Sequence, residues 1–302
     1  MKKELIYLFV FFTISGYSQI GNYNFFPSLQ PQHILDEKLT NISFAYSMRV
    51  LESDYKGSLV RLRRASDNEE MDFGWASNDI VDVAAVNTWR GTSLVYIVTW
   101  YDQSKSGRNA TQIEPNRQPQ FFPDLKMPYF KGDGDDDHLT VEKGEINFVT
   151  NDGREGTIIA TMLPTNKLQH SFGVLTGDNR WSSHVNWGDQ DNTLYFDPGI
   201  CCNGTRSSPN RGVVNAWDIY SFIRTETNVI ARTNLTERFN GLHTTGKCTV
   251  KDKFAIGWAT GNQSDKHATT SYNEFIMYKM DIAMIQIQEM EKNAKTFWNI
   301  KP

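Results

Sequence analysis

A dense run of carboxylates is the clearest chemical feature of this 302-residue chain. Residues 131–139 read Lys-Gly-Asp-Gly-Asp-Asp-Asp-His-Leu, which places four Asp side chains within five residues. Hard cations such as calcium favour oxygen ligands of this kind, although the run lacks the spacing and the distal Glu of an EF-hand. Two interpretations therefore stay open. One is a structural turn, and the other is a calcium site formed by Asp133, Asp135, Asp136 and Asp137.

A second group of residues has the types that recognise sugars. Sugar binding needs an aromatic face for the apolar side of the ring and planar hydrogen-bonding groups that replace its water. Residues 181–206 supply both types, in Trp181, Trp187, Asp197 and Arg206. Since Trp is buried in most proteins, each Trp also has an interpretation as a core residue, and Asp197 could simply pair with Arg206.

Composition excludes several other classes of function. The formal net charge of −4 comes from acidic and basic residues that are mixed along the chain, which argues against nucleic acid or an anionic membrane as a partner. The sequence has no Gly-x-Ser-x-Gly elbow, no His-Glu-x-x-His zinc helix, no phosphate-binding glycine loop and no Cys-x-x-Cys. We therefore expect no cofactor other than calcium.

The elements that must position these residues are mostly strands. Short β-branched and aromatic segments bounded by Gly, Asn and Asp recur along the chain, for example at 94–100, 157–162, 219–223 and 274–278. Many short strands separated by turn signals are typical of a β-sandwich. Helical spacing of apolar residues appears at 79–89 and more clearly at 281–298, where Asp281 stands at the N-cap position.

A polar turn follows the strand at 94–100. It begins Trp-Tyr-Asp-Gln-Ser at 100–104, and its Asp and Ser side chains can hydrogen-bond their own backbone. Together with Ala-Tyr-Ser-Met-Arg at 45–49 and Arg-Arg-Ala-Ser-Asp-Asn at 63–68, this turn resembles the opening of the alpha-L-arabinofuranosidase B catalytic domain. The same opening is similar to that of LamG-like jelly rolls in exported bacterial and phage proteins. The resemblance implies an all-β, concanavalin A-like (LamG-type) jelly-roll β-sandwich with a C-terminal helix.

The resemblance also says which residues would carry hydrolysis. The family is a retaining one, which implies two close carboxyl groups, and its nucleophile is a Glu two residues after an Asp at the end of a strand. In the matching segment 194–199, Asp197 matches that Asp and Gly199 stands where the Glu belongs. The family's acid/base is an Asp in a Gly-Gly-Asp-Asn turn, and Asn262 occupies the comparable place here, close to Trp258.

Glycine offers no nucleophile, and an amide cannot donate and recover a proton as a carboxylic acid does. The inherited mechanism is therefore predicted to be lost, with Asp197 and Glu274 as weak candidates for a substitute catalytic group. Trp258 and Asn262, on the loop that the family places at its sugar site, join the predicted carbohydrate-binding residues.

The N-terminus predicts export. Residues 1–18 combine a charged start, an apolar core at 5–12 and small residues before Gln19, as a secretory signal peptide does. The apolar stretch is too short for a comfortable membrane span. We expect residues 19–302 to form one domain in the periplasm, at the cell surface or in the medium.

The chain has three cysteines, Cys201, Cys202 and Cys248. The favoured expectation is a disulfide between Cys248 and one of the other two. A bridge between the adjacent pair is open as well but strained, because Cα atoms about 3.8 Å apart fall below the usual disulfide range.

Three functions follow from these features. The preferred one is an exported β-sandwich that binds a polysaccharide or glycoconjugate without cutting it. The alternatives are an active glycoside hydrolase of the arabinofuranosidase type that uses displaced carboxylates, and a purely structural surface or adhesion module.

Overall fold

Side chains of strands alternate between the two faces of a sheet, and this alternation builds most of the molecule. The computed structural model describes residues 33–38, 40–165, 169–185, 193–201, 207–208, 215–243, 246–261 and 266–301. The predictions for residues 1–18, Trp187, Cys202, Arg206 and Asn262 lie outside this part of the chain.

The described strands follow one another as β1 (Ile42–Ser47), β2 (Val60–Arg64), β3 (Glu70–Phe73), β4 (Val95–Trp100), β5 (Ala110–Thr111), β6 (Gln120–Phe122), β7 (Tyr129–Lys131), β8 (Leu139–Glu145), β9 (Gly156–Leu163), β10 (Phe172–Thr176), β11 (Asn179–His184), β12 (Leu194–Ile200), β13 (Ser207–Ser208), β14 (Asp218–Arg224), β15 (Asn228–Thr233), β16 (Thr236–Leu242), β17 (Lys253–Ile256) and β18 (Ser271–Tyr278). The described helices are α1 (Val83–Arg90), α2 (Ile146–Val149) and α3 (Met284–Phe297), with one 3₁₀ turn at Pro115–Arg117.

Antiparallel pairing arranges the strands in two layers. The first layer runs β3-β2-β4-β6-β7-β18-β9-β14-β15-β16, and β1 also pairs with β18. The second layer runs β5-β8-β17-β10-β11-β12-β13. Because β4 pairs with β6 through its first residues and with β5 through its last, it joins the two layers.

The core lies between the layers and is rich in aromatic rings. Phe172 of β10 faces Phe222 of β14 at 5.1 Å and Phe275 of β18 at 5.5 Å, measured between ring centroids. The predicted β-sandwich with a C-terminal helix is confirmed, and the LamG-type detail stays a prediction.

Helix α3 covers the outer face of the first layer. Glu291 on this helix accepts hydrogen bonds from the hydroxyl of Ser221 (2.7 Å) and from Nε of Arg232 (2.8 Å), both on the sheet. The helix begins at Met284 and its cap residue, Ala283, contributes no side-chain bond, so the prediction of Asp281 as the N-cap is wrong. Within the described residues, no helix is both long and apolar enough to cross a membrane.

The cysteines differ from the favoured expectation. Cys201 is disulfide-bonded, whereas Cys248 is a free thiol buried in the core. The prediction of a disulfide between Cys248 and one of the other two cysteines is therefore wrong. Burial raises the pKa of the Cys248 thiol to about 11.

The polar turn after β4 is a buried hydrogen-bonding centre. The Asp102 carboxylate accepts bonds from the backbone N–H groups of Ala45 (2.9 Å), Ser104 (2.9 Å) and Arg108 (3.2 Å) and from the Ser106 hydroxyl (2.7 Å). The Asp102 side chain therefore stabilises its own turn and also links this turn to β1.

The neighbouring Gln103 also bonds to the backbone after β1, through both the oxygen and the nitrogen of its side-chain amide. Its oxygen accepts a bond from the backbone N–H of Leu51 (2.8 Å), and its nitrogen donates to the carbonyl of Arg49 (2.8 Å). The segment after β1 is thus held to the end of β4.

We predict that Asp102→Ala lowers the free energy of unfolding by about 3 kcal/mol, because hydrogen bonds to a charged group contribute roughly 1.5–3 kcal/mol each and buried donors lose their acceptor. Denaturant unfolding monitored by tryptophan fluorescence measures this. Asp54→Ala is the matched control, since Asp54 is exposed and should change stability by less than about 0.5 kcal/mol. Equal stability of the two variants would contradict the role of Asp102 as a buried hydrogen-bonding centre.

Candidate functional site

The turn after β17 carries Trp258 and is built by glycine. Gly257 and Gly261 have φ angles of +87° and +130°, a region that other residues rarely adopt. A Cβ on Gly261 would lie 1.8 Å from the carbonyl oxygen of Leu175. Thr260, which donates its N–H to Gly173 and accepts from the N–H of Leu175 (2.7 Å), docks the turn on β10.

Trp258 lies half-buried on two histidines. Its ring stacks on His267 at 4.8 Å with an interplanar angle of 15°, and it meets His138 at 4.9 Å. Burial lowers the pKa of His138, and burial together with the neighbouring His138 lowers the pKa of His267 to about 4. Both rings are therefore neutral at neutral pH and provide a fixed, uncharged platform for Trp258.

An open groove of about 750 Å³ runs past Trp258. Its other walls are polar, with hydroxyl, carboxylate and ammonium groups from Thr140, Glu145, Thr176, Lys251, Asp252, Lys253 and Thr260. A ring edge beside many hydrogen-bonding groups suits a polyhydroxylated ligand. The sequence pattern predicted Trp258 but not the residues of β8 and of the segment before β17, because only their pairing brings them to this turn.

Asp197 and Gly199 lie on β12, opposite β11. Asp197 is directly across from Ser182 and Gly199 from Arg180. The Asp197 carboxylate is buried and lies 3.8 Å from Nη1 of Arg180. Its described ionic partner is therefore Arg180, and the predicted pairing with Arg206 lies outside the described residues.

The position that the resemblance matches with a nucleophile has no room for a side chain. Gly199 has a φ of +141°, and a Cβ there would lie 2.3 Å from the carbonyl oxygen of Gly246 and 2.6 Å from Nη1 of Arg224. A glutamate would need a different backbone path at this point. The site therefore cannot present a carboxylate from residue 199.

Two sequence candidates are core residues. Trp181 is fully buried and packs edge-on against Phe196 at 5.1 Å, so its ring faces the interior and not a ligand. Glu274 is buried on β18, where it accepts bonds from Arg49 (2.8 Å) and Ser47 (2.9 Å). Both of these bonds go to Oε2, and Oε1 accepts from Nη2 of Arg49 (3.2 Å), so both carboxylate oxygens hold neighbouring elements together.

Three of the four carboxylates of the acidic turn lie close together. Oxygens of Asp133, Asp136 and Asp137 lie within 4.8 Å of one another, and Asp135 does not join them. Asp133 accepts the backbone N–H of Asp135 (2.8 Å), while Asp137 accepts that of Asp133 (3.1 Å). Arg117 lies 3.6 Å from Asp136. These bonds match the structural turn, and calcium binding stays a prediction.

Burial, with the nearby Asp133 carboxylate, raises the pKa of Asp137 from 3.8 to about 7. The folded state therefore holds this proton more tightly than the unfolded chain, so the resulting stability is complete below about pH 4 and is lost as pH rises towards 7. We predict that Asp137→Asn, which mimics the protonated acid, exceeds the wild type in stability at pH 8 and that the difference vanishes near pH 4.

Thermal unfolding in EDTA across this pH range measures the effect, with the exposed Asp54→Asn as control. A difference in stability between Asp137→Asn and the wild type that does not change with pH would contradict the raised pKa of Asp137. Calcium added in a parallel experiment without EDTA tests the metal prediction, since a bound ion raises the unfolding midpoint by mass action, and Asp136→Asn should abolish that rise.

We predict that Glu274→Gln costs about 3–5 kcal/mol of stability, because it leaves the buried Arg49 guanidinium without its counter-charge. Urea unfolding measures the loss. The control is Glu289→Gln, whose partner is Lys38 at 3.3 Å in a partly exposed pair and which should cost less than about 1 kcal/mol. A catalytic role for Glu274 would instead appear as a fully stable variant that has lost a hydrolytic activity.

Comparison with known proteins now adds to this geometry. Residues 31–124 match the family model described as alpha-L-arabinofuranosidase B, catalytic. A search of curated proteins found no match.

Among solved structures, an arabinofuranosidase complexed with arabinofuranosyl-alpha-1,2-xylobiose is similar with a TM-score of 0.65 at 13% identity, over 84% of this chain and 62% of that chain. A GH54 alpha-L-arabinofuranosidase soaked with a cyclic sulfate inhibitor gives a TM-score of 0.63 at 14% identity, with the same coverage. The present chain thus spans 62% of the length of these enzymes. It resembles the alpha-L-arabinofuranosidase B catalytic domain, in sequence over residues 31–124 and in fold over 84% of its length.

Proposed function

We propose that this protein is an exported carbohydrate-binding protein that uses an arabinofuranosidase-like scaffold without hydrolysing its ligand. The observation that carries the proposal is Gly199, because the position matched with the family's nucleophile has neither a side chain nor the space for one. Asp197, two residues earlier, is buried beside Arg180. A retaining mechanism needs two carboxyl groups about 5–5.5 Å apart across the bond to be cut, and β12 supplies no such group to a ligand.

The groove beside Trp258 is the proposed binding site. The tryptophan edge offers an apolar surface, and Thr140, Glu145 and Asp252 offer acceptors and donors for hydroxyl groups. Since neutral His267 and His138 hold the indole in place, little side-chain entropy is lost when a sugar binds. Similarity to arabinofuranosidases supports arabinose-containing oligosaccharides as the first ligands to test.

We predict that Trp258→Ala weakens binding of an arabino-oligosaccharide at least about tenfold, because removing an aromatic contact costs about 1.4 kcal/mol or more. Isothermal titration calorimetry on the purified chain measures this. Trp89→Ala is the matched control, since Trp89 is also half-buried but lies on α1, outside the groove. Equal affinity of both variants would contradict the site.

Hydrolysis is tested separately with an aryl arabinofuranoside and with arabinan. The proposal expects no release of arabinose above a buffer control. Release that a single Asp or Glu substitution abolishes, with Asp137→Asn and Asp197→Asn as the first variants, would replace the proposal with an active glycoside hydrolase. Absence of binding to any glycan on an array would favour the structural module.

A further inference from the structure

A row of polar side chains crosses four neighbouring strands of the first layer in register. Arg63 on β2 is directly opposite Tyr96 on β4, Tyr96 is opposite Gln120 on β6, and Gln120 is opposite Lys131 on β7. Residues directly opposite in antiparallel strands share one face of the sheet. This row therefore lies on the outer face, while the alternate residues, such as Phe121, are buried in the core.

The row forms the floor of a cleft of about 580 Å³, which lies within the range of small-ligand sites. The turn at Pro115–Arg117 forms one wall with Asn116, and the acidic turn forms another with Asp133 and Asp137. None of these residues lines the Trp258 groove. The cleft is thus a second concave site, formed in part by the segment at 63–68 and by the acidic turn.

Arg63 is the unusual residue of this cleft. It is only 7% exposed, and its guanidinium donates to Oε1 of Gln118 (2.6 Å), Oδ1 of Asn68 (2.8 Å) and the carbonyl of Pro115 (3.0 Å). It also lies over the Tyr96 ring at 4.9 Å. All of these partners are neutral, and Arg63 has no ion-pair partner among the described residues.

Two other buried arginines in this fold have a carboxylate partner. Arg49 pairs with Glu274 and Arg232 pairs with Glu291, each at 2.8 Å. A buried charge without a counter-charge is costly, and Arg63 has five N–H donors of which the bonds above use three. The two others, one on Nη1 and one on Nη2, carry no bond within the described residues, and a carboxylate is the acceptor that can take two guanidinium donors at once.

The remaining floor suits hydroxyl groups. Tyr96, Asn116, Gln120 and Lys131 form no side-chain hydrogen bond within the described structure, and all four line the cleft. Arg63 and Lys131 are three strands apart, or roughly 14 Å, and the acidic turn follows Lys131 directly in the chain. Carboxylates at that end repel an anion, so a single anionic group is directed to Arg63.

We infer that this cleft binds an acidic saccharide, with the carboxylate of a uronic acid residue on Arg63 and the sugar hydroxyls on Tyr96, Asn116 and Gln120. This site goes beyond the proposed function, which concerns the Trp258 groove. It would let one domain hold a neutral glycan segment and an acidic one at separate places.

Calorimetry with an aldotriouronic acid, a trisaccharide that carries one uronic acid residue, and with its methyl ester tests the inference, because esterification removes the charge and adds only one methyl group. We expect the acid to bind at least about tenfold more tightly than the ester, as a charge-assisted bidentate pair requires. Arg63→Gln should remove that difference. The matched control is Arg61→Gln, on the same strand but exposed and paired with Asp72, and it should retain wild-type affinity for both probes.

Equal binding of acid and ester, or wild-type affinity in a folded Arg63→Gln variant, would overturn the inference. If Arg63→Gln does not fold, Gln120→Ala and Lys131→Gln decide the question, since unchanged affinity in both would also overturn it. Inorganic sulfate should not displace the trisaccharide. Displacement by sulfate would show that the cleft binds anions without recognising the sugar, and it would overturn the inference. Trp258→Ala should leave binding of the aldotriouronic acid intact, so failure of this inference and failure of the proposed function are seen separately.

Discussion

The buried side chains of Asp102 and Gln103 hold the two layers of the sandwich in their relative positions. They follow the last residue of β4, the strand that pairs with β6 of one layer and β5 of the other. Their hydrogen bonds reach Ala45 on β1 and the backbone at Arg49 and Leu51. β1 lies beside β18 at the centre of the first layer. The position of β1 therefore depends on the turn that follows β4.

This constraint explains what the family match means physically. The matched stretch, residues 31–124, contains Asp102 and Gln103 but neither β12 nor the Trp258 turn. The characteristic residues of the stretch form buried bonds to the backbone and do not line the Trp258 groove. A shared scaffold and a changed site are therefore compatible, since different parts of the chain specify them.

Sequence patterns predicted the strands well and the site less well, for definable reasons. Enrichment in β-branched and aromatic residues identifies β9, β14 and β18, which are buried along almost their whole length. Such enrichment does not say which polar residue lies inside, so Glu274 was a candidate catalytic carboxylate although Arg49 holds it in the interior. Trp181 likewise could be assigned to the core only once its packing against Phe196 was seen.

Long-range register is the information that a single sequence lacks. Residues 112–128 look like a polar surface crossing, but their middle forms β6, and this strand brings Gln120 between Tyr96 and Lys131. The helix start was misplaced for a local reason, since Ala283 and not Asp281 precedes the first turn of α3. Contacts with distant parts of the chain therefore decided the first case only.

The free, buried thiol of Cys248 has a practical consequence. Thiolates are the form that reacts with alkylating reagents and disulfides, and burial with a pKa of about 11 keeps this sulfur protonated and covered in the native state. Its backbone is also bonded to Gly153, whose missing side chain permits the close approach. Alkylation of Cys248 therefore requires the segment around Cys248 to move away from Gly153. The rate of alkylation thus reports how often this part of the sandwich opens.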